Sequence, residues 1–185
     1  MKDSPIRLGI TLLLIAGIMG LILGGTYTLT KDTIDEKKDA ANKAAYAQVL
    51  PDADIRNLEE LPVDEAYTGR ILEVYTAREG GYAMRVSSKG YGGAVIIAVG
   101  LDPDGVISGV RVVEHSETPG LGANAAKEDF SGQYTGKTGE LSVVKGDAGE
   151  GQISAISGAT ITSRSVTESV NTALQYYRDV LKGGD

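Results

Sequence analysis

The residues from Leu8 to Thr30 include no charged side chain, and this apolar run constrains the fold more than any other feature. At a helical rise of about 1.5 Å per residue it spans about 34 Å, enough to cross the hydrocarbon core of a bilayer. The run predicts one membrane-spanning helix at 8–30, preceded by a short tail at 1–7. A cleaved signal peptide is the alternative, but the run is longer than the apolar region of such peptides and no small-x-small cleavage site follows it.

Two polar segments follow the apolar run. Residues 31–50 are rich in Ala and Lys and end at Pro51, which predicts a helix that continues the membrane helix as a stalk. Residues 52–68 contain scattered acids with no clear period, which predicts a linker at the edge of the next domain. Lys and Arg occur on both sides of the apolar run, so their distribution does not orient it in the membrane.

The region 69–185 shows the pattern of one domain with several strands. The stretches 70–77, 82–87, 94–101 and 106–113 are rich in β-branched residues and Tyr, which is typical of strands. Turn signals at Glu79-Gly80-Gly81 and Asp102-Pro103-Asp104-Gly105 predict antiparallel pairing of the neighbouring strands. The stretch 94–101 is apolar on both faces and should be a central strand. We therefore predict an α+β fold, with a mainly antiparallel sheet flanked by helices.

The remaining elements are short, except for the last. Residues 123–134 predict a short helix, 141–145 a fifth strand and 146–151 a loop. Beyond Thr160, apolar residues recur at helical spacing through Val166, Val170 and Leu174, which predicts a C-terminal helix. Small residues before a helix suit the approach of a phosphate to unpaired backbone N–H groups. The alternative is ordinary capping, with Ser165 and Glu168 as a capping box.

Two further loops allow a functional and a structural interpretation. Residues 89–93 contain Gly90-Tyr91-Gly92-Gly93, which could pass near a ligand but more simply connect two strands of a hairpin. His115 and Glu117 follow the fourth strand and suggest acid–base chemistry, although a single His at a strand end is more often structural.

Composition excludes several classes of function. The formal net charge is -7, and an acidic surface repels phosphates, so we expect no nucleic-acid partner. The chain has no Cys, which excludes disulfides, thiolate nucleophiles and iron–sulfur ligation. With one His and no tight acidic cluster, we expect no metal site, so a redox role would need an organic cofactor. No Gly-x-Gly-x-x-Gly fingerprint occurs in the sequence, so we expect no dinucleotide site of that type in this chain.

Two motifs resemble a known family. Ser157-Gly158-Ala159-Thr160, followed by Ile161-Thr162-Ser163, resembles the flavinylation motif of the FMN-binding domain in the G subunit of the Rnf electron-transport complex and in the C subunit of the sodium-pumping NADH:quinone reductase. The stretch Glu117-Thr118-Pro119-Gly120-Leu121-Gly122 resembles the loop that lies against the flavin in that family. The motifs occur in the family's order, and the resemblance covers nearly the whole chain. Short connections favour the Rnf G subunit, with the quinone-reductase C subunit as the alternative.

The resemblance implies a cofactor and a set of site residues. FMN would be attached to Thr160 through a phosphoester bond, and a separate FAD:protein FMN transferase would attach it. The other implied cofactor-binding residues are Ser157, Gly158, Ala159, Thr162, Ser163, Glu117, Thr118, Gly120, Leu121 and Gly122. The family motif usually has Asp three residues before its Ser, whereas this chain has Ser154 there.

The resemblance also implies a place in the cell. The protein would be an electron carrier, with no catalytic centre of its own, in a membrane-bound ion-translocating ferredoxin:NAD oxidoreductase. Its partners would be the other membrane subunits and the lipid bilayer, with the tail 1–7 in the cytoplasm and the domain 69–185 on the other side. An alternative of another class is a noncatalytic membrane-anchored binding module, in which the Ser/Thr stretch only caps a helix.

Overall fold

The computed structural model describes residues 5–51, 53–78 and 80–183. Residues 1–4 of the predicted tail, Asp52 of the predicted linker and Glu79 of the first predicted turn lie outside the described residues. The chain forms two compact units, Met1–Ala40 and Ala41–Asp185.

The first element is one long helix, α1, at Pro5–Val49. Within its segment Pro5–Lys31, the most apolar 18-residue window has a mean hydropathy of 2.4, and none of that window is buried inside the protein. The segment is long and apolar enough to cross a membrane, as predicted. The helix predicted at 31–50 is confirmed as the second part of α1.

The second unit contains a five-stranded antiparallel meander. Its strands are β1 (Glu59–Leu61), β2 (Ile71–Thr76), β3 (Tyr82–Lys89), β4 (Ala94–Leu101) and β5 (Ile107–Glu114), in that spatial order. Every neighbouring pair is antiparallel, because a short turn or loop connects each strand to the next. Strand β4 lies between β3 and β5 and is buried on both faces, which confirms the central strand.

The C-terminal helix α3, at Thr160–Tyr176, covers one face of the sheet and is followed by a π-helical turn at Tyr177–Leu181. Val166, Val170 and Leu174 of α3 pack in one core with alternate residues of the strands, including Met84 and Ile97. The last turns of α1 lie on the opposite face, where Tyr46 and Val49 pack against small residues of β3 and β4. The α+β architecture agrees with the prediction.

Four local predictions need correction. The segment 123–134 is not one helix but a 3-10 turn at Gly122–Ala126, the short helix α2 at Glu128–Ser131 and a second 3-10 turn at Gly132–Tyr134. The strand predicted at 141–145 is present as β6 (Ser142–Val144), but it does not join the main sheet and instead pairs in parallel with β7 (Gln152–Ser154) in a separate two-stranded sheet. Strand β1 forms within the predicted linker.

The fourth correction concerns the start of α3. Because the helix begins at Thr160, Ser165 and Glu168 lie inside it and cannot form a capping box. The Ser165 hydroxyl and backbone carbonyl instead meet the hydroxyl of Ser88 on β3, at 2.6 and 2.7 Å. Ser165 therefore joins the helix to the sheet.

Candidate functional site

A pocket of about 700 Å³ lies between the loop after β5 and the start of α3, and both sequence motifs line it. Its walls come from four places: the β3–β4 hairpin, the loop after β5, the end of β6 and the turn before α3. The lining residues are Tyr91, Glu117, Thr118, Leu121, Gly122, Lys145, Gly146, Ala155, Ile156, Ser157, Gly158, Ala159, Thr160, Ile161 and Thr162.

The turn before α3 is held by its own hydrogen bonds. The backbone N–H of Ala159 donates to the carbonyl of Ile156 at 2.9 Å, and Gly158 between them has a φ of 73°, which favours glycine. The Ser163 hydroxyl accepts from the N–H of Ile156 and donates to the carbonyl of Ala159, both at 3.0 Å. These bonds fix the position of Thr160 at the N-terminus of α3.

Thr160 is the first residue of α3, and its hydroxyl is free. In the described part of the chain this hydroxyl has no hydrogen-bond partner, whereas those of Thr162 and Ser163 in the same turn are engaged. No described side chain caps the helix start, so its first backbone N–H groups remain available. Free N–H groups and the positive end of the helix dipole favour an anion at this point.

Glu117 forms the buried wall of the pocket. Only 6% of its surface is exposed, and its carboxylate accepts from the Thr162 hydroxyl at 2.6 Å and from the N–H of Gly92 at 3.0 Å. Burial alone raises the pKa of Glu117, but the hydrogen bonds from Thr162 and from the backbone of Gly92 and Tyr91 outweigh it, so the pKa lies below its usual value. The ionised carboxylate joins α3, the hairpin and the loop after β5.

Two glycines allow these walls to approach one another. A Cβ at Gly122 would overlap the Glu117 carboxylate and lie 2.6 Å from the Thr162 hydroxyl, so no larger residue fits without a shift. A Cβ at Gly158 would lie 3.1 Å from the Leu121 side chain. Leu121 and the turn before Thr160 are therefore neighbours in the structure.

Large apolar side chains surround the opening of the pocket. Tyr91, Leu121 and Ile161 line it with 74%, 44% and 54% of their surface exposed. Such exposure of apolar groups around a cavity is typical of a ligand site. The arrangement provides apolar surface for a flat ring beside polar groups for a phosphate.

The structure brings most of the predicted site residues together, with three differences. Ser163 is buried beneath the turn, where it braces the backbone, and Gly120 lies in the loop after β5 without lining the pocket. The hydroxyl of Thr162 is directed to Glu117 and not to the cavity. The assignment of these residues to a cofactor stays a prediction.

The two ambiguous loops have clear positions. His115 is exposed, lies outside the pocket lining and accepts the N–H of Glu117 at its Nδ1 atom, at 3.2 Å. This contact orders the loop, in agreement with a structural role. The segment 90–93 connects the two strands of a hairpin, as the structural interpretation predicts. Its Tyr91 also lines the pocket, as expected for a loop that passes near a ligand.

Sequence reasoning missed several pocket residues. Lys145, Gly146, Ala155 and Ile156 line the cavity because β6 and β7 pair in parallel, which brings the ends of both strands to the turn before α3. The apolar residues at 141–145 gave a signal for β6, but no local pattern indicated its partner. Within the described residues, no cluster of three or more His, Asp or Glu side chains could hold a metal ion.

Two family models match the chain. One, described as an FMN-binding domain, matches residues 90–175, and the other, the RnfG N-terminal region, matches residues 1–49. The first match contains every residue that lines the pocket, and the second contains α1. Together they cover the anchor and the site.

Curated relatives match over most of their length. The chain is 35% identical to the G subunit of the Na(+)-translocating ferredoxin:NAD(+) oxidoreductase complex of Acetobacterium woodii, over 95% of this chain and 93% of that protein. It is 36% identical to the G subunit of the proton-translocating ferredoxin:NAD(+) oxidoreductase complex of Clostridium ljungdahlii, over 85% and 83% of the two chains.

A solved structure shares the fold. The crystal structure of the C subunit of the Na(+)-translocating NADH-quinone reductase from Parabacteroides distasonis aligns with a TM-score of 0.61 at 22% identity. The alignment covers 84% of this chain and 98% of that one. At this identity the likeness concerns the fold alone.

Proposed function

The chain belongs to the family of G subunits of ion-translocating ferredoxin:NAD(+) oxidoreductase (Rnf) complexes, and we propose that it serves as an electron carrier with FMN esterified to Thr160. It is an FMN-binding, electron-transfer subunit of a membrane-bound complex, and its apolar helix is a single-pass anchor. The covalent bond, the modifying enzyme and the side of the membrane are the parts that we add.

The observation that carries the proposal is the free hydroxyl of Thr160 at the start of α3, inside the pocket formed by both motifs. The available N–H groups of the first turn suit the phosphate. They are neutral and donate hydrogen bonds to an anion, so no second charge has to be buried beside it. Leu121, Ile161 and Tyr91 would contact the apolar faces and edges of the ring. The residues present therefore fit FMN.

Attachment is a phosphoryl transfer with FAD as the co-substrate. The Thr160 oxygen forms a bond to the flavin-side phosphorus, the pyrophosphate P–O bond breaks, and AMP leaves with the bridging oxygen. The hydroxyl proton passes to a base, and such a transfer generally needs a metal ion to balance the charge. The described residues provide no metal cluster, so we assign metal and base to a separate FAD:protein FMN transferase.

When bound, FMN supplies one-electron chemistry, and the protein supplies position and electrostatics. The Ser163 bonds hold the turn that carries Thr160, and Glu117 holds the facing loop against α3. A covalent bond prevents loss of the cofactor during electron transfer. The two relatives differ in the ion that their names give, sodium or proton, so we assign no ion to this chain.

The proposal is tested by expressing the full chain with and without the transferase and measuring flavin fluorescence after denaturing electrophoresis. We expect a fluorescent band only when the transferase is present. Thr160→Val keeps the shape of the side chain and should abolish the band, whereas Thr160→Ser keeps the hydroxyl and should retain it. A fluorescent Thr160→Val band would contradict the proposed attachment.

The extracytoplasmic position of the domain has its own test. The chain contains no Cys, so a single Glu150→Cys substitution in an exposed loop places one thiol in the second unit. We expect a membrane-impermeant maleimide to label intact cells that express this variant. Labelling only after the cells are broken would place the domain in the cytoplasm.

A further inference from the structure

Lys145 is a charged residue of the pocket that neither motif includes. Among the described residues that line the cavity, Lys145 and Glu117 are the two with ionisable carboxylate or amine groups. Lys145 is exposed, and the described part of the chain offers its ammonium group no ion pair within 4.0 Å and no hydrogen bond. The pocket thus contains a cation without a partner.

Glu117 does not provide that partner. Its carboxylate is buried and accepts hydrogen bonds from the Thr162 hydroxyl and from the N–H of Gly92. A carboxylate with these donors is stabilised in place, with no ion pair to Lys145. The positive charge of Lys145 is available to a ligand.

The backbone on both sides of Lys145 is fixed to β7. The N–H of Ala155 donates to the carbonyl of Val144 at 2.8 Å, and the Ser154 hydroxyl donates to the carbonyl of Gly146. These two bonds hold the residues before and after Lys145 beside the strand that leads to the turn of Thr160. Lys145 therefore projects from an anchored segment.

Ser154 has a specific role in this arrangement. It occupies the position where the resembled family motif usually has Asp. An ionised carboxylate can only accept hydrogen bonds, whereas a hydroxyl can donate one to a carbonyl oxygen. The departure from the motif is what allows residue 154 to hold Gly146, and through it the segment of Lys145.

We propose that the ammonium group of Lys145 binds an anionic oxygen of the flavin, and this inference rests on the proposed attachment at Thr160. Two flavin groups provide such an oxygen: the phosphoryl group that is transferred to Thr160, and the ring carbonyl region that gains negative charge on reduction. A lysine ammonium is a compact charge with three donors, so it can serve either group. A charge-assisted hydrogen bond is stronger than a neutral one.

The experiment compares the full-length wild type with Lys145→Gln, Lys145→Arg and a control. Lys43→Gln removes one exposed positive charge of the second unit that does not line the pocket. For each protein, the initial rate of FMN attachment by the transferase is measured by intact mass. The midpoint potential of the attached flavin and its pH dependence are then measured by spectroelectrochemical titration.

The two measurements distinguish the two flavin groups. Binding to the phosphoryl group predicts that Lys145→Gln slows attachment by about tenfold and leaves the potential unchanged. Binding to the ring predicts unchanged attachment and a potential shifted to more negative values, because the reduced, anionic ring loses its cation. In either case Lys145→Arg should restore at least part of the wild-type behaviour.

The inference is overturned if wild-type Thr160 is modified normally and Lys145→Gln matches Lys43→Gln in both measurements. That result would leave the proposed function intact. Absence of FMN from wild-type Thr160 in the presence of the transferase would overturn the proposed function, and this inference with it.

Discussion

The two long helices of the chain, α1 and α3, differ in what surrounds their side chains. The apolar segment of α1 is exposed along its length, with Leu14 57% and Leu21 78% exposed. Helix α3 is rich in Ser and Thr, and yet most of its residues are buried. Hydropathy therefore predicts the medium around α1, a bilayer, but does not predict the burial of α3.

The buried hydroxyls of α3 explain how a polar helix can lie against a sheet. Thr167 bonds to the Ser163 carbonyl and shares a hydrogen bond with Tyr134, and Ser169 donates to Ser88. A buried polar group costs little when it has a partner and much when it has none. Thr160, which is only partly buried, has a hydroxyl with no described partner, and it lies in the pocket.

The largest expected effect contrasts apolar residues in the two helices. Leu174→Ala should destabilise the second unit by about 2–5 kcal/mol, because it leaves a cavity in the core under α3. Leu14→Ala, at an exposed position of α1, should leave that stability unchanged. Chemical denaturation of the full chain in detergent, followed by near-ultraviolet circular dichroism of its tyrosines, measures both. Equal losses of stability in the two variants would contradict the distinction between the buried face of α3 and the exposed apolar segment of α1.

A charge in α1 tests the lipid environment. Leu14→Arg should oppose membrane insertion by at most about 2.5–3.5 kcal/mol, the cost of an Arg at the centre of a membrane helix, since the charge would lie inside the apolar run. The fraction of protein that resists carbonate extraction from membranes should fall. Gln48→Arg, at an exposed position of α1 outside the apolar run, is the matched control and should have no effect. If the fraction of Leu14→Arg protein that resists carbonate extraction equals that of the wild type, the result would contradict a membrane-spanning helix.

The Glu117–Thr162 pair connects α3 to the loop after β5. Thr162→Val removes the donor at 2.6 Å from the carboxylate and should cost about 2 kcal/mol, because a buried charge loses a hydrogen bond. The variant should also raise the pKa of Glu117. We expect its denaturation midpoint at neutral pH to fall relative to the wild type.

The same pair gives a pH dependence of definite sign. The folded-state pKa of Glu117 lies below the unfolded value, so its contribution to stability is present above the ordinary pKa of 4.5 and is lost as the pH falls through the folded-state pKa. Between pH 6 and about pH 3, the denaturation midpoint should fall less in Thr162→Val than in the wild type. The variant lacks the hydrogen bond that lowers the pKa of Glu117, so protonation of Glu117 costs it less stability. Parallel curves would show that the hydrogen bond does not set this pKa.

The smallest effect concerns hydroxyls alone. Ser88→Ala removes the bridge from β3 to Ser165 and Ser169 of α3 and should cost about 1 kcal/mol. Thr26→Ala in α1 removes only a bond to the carbonyl of its own helix and should leave the second unit unchanged. The same denaturation experiment measures the difference. A larger effect for Thr26→Ala would contradict the account of α3.

Regions with a strong local pattern were predictable from the sequence. The uncharged run of α1 and the β-branched stretches of β2 to β5 each carry their own signal, and the observed strands agree with the predicted ones within two residues. The two motifs also indicated the pocket, because each is contiguous in sequence. The expectation that the two motifs lie close together came from the family resemblance.

The remaining features depend on contacts between distant residues. Strand β1 is only three residues long and contains two Glu, so no alternation of apolar residues marks it. The parallel pairing of β6 with β7, which brings Lys145 to the pocket, has no turn signal because the strands are not a hairpin. The burial of the α3 hydroxyls depends on partners such as Ser88 and Tyr134, which lie far away in sequence.

The central claim concerns the hydroxyl at the start of α3, and peptide mass spectrometry tests it most directly. Trypsin should release residues 146–164, a peptide that contains Ser154, Ser157, Thr160, Thr162 and Ser163. In protein made with the transferase, we predict one added FMN and fragment ions that place it on Thr160. A fully modified peptide with FMN on any other of these residues, or one without FMN, would contradict the account.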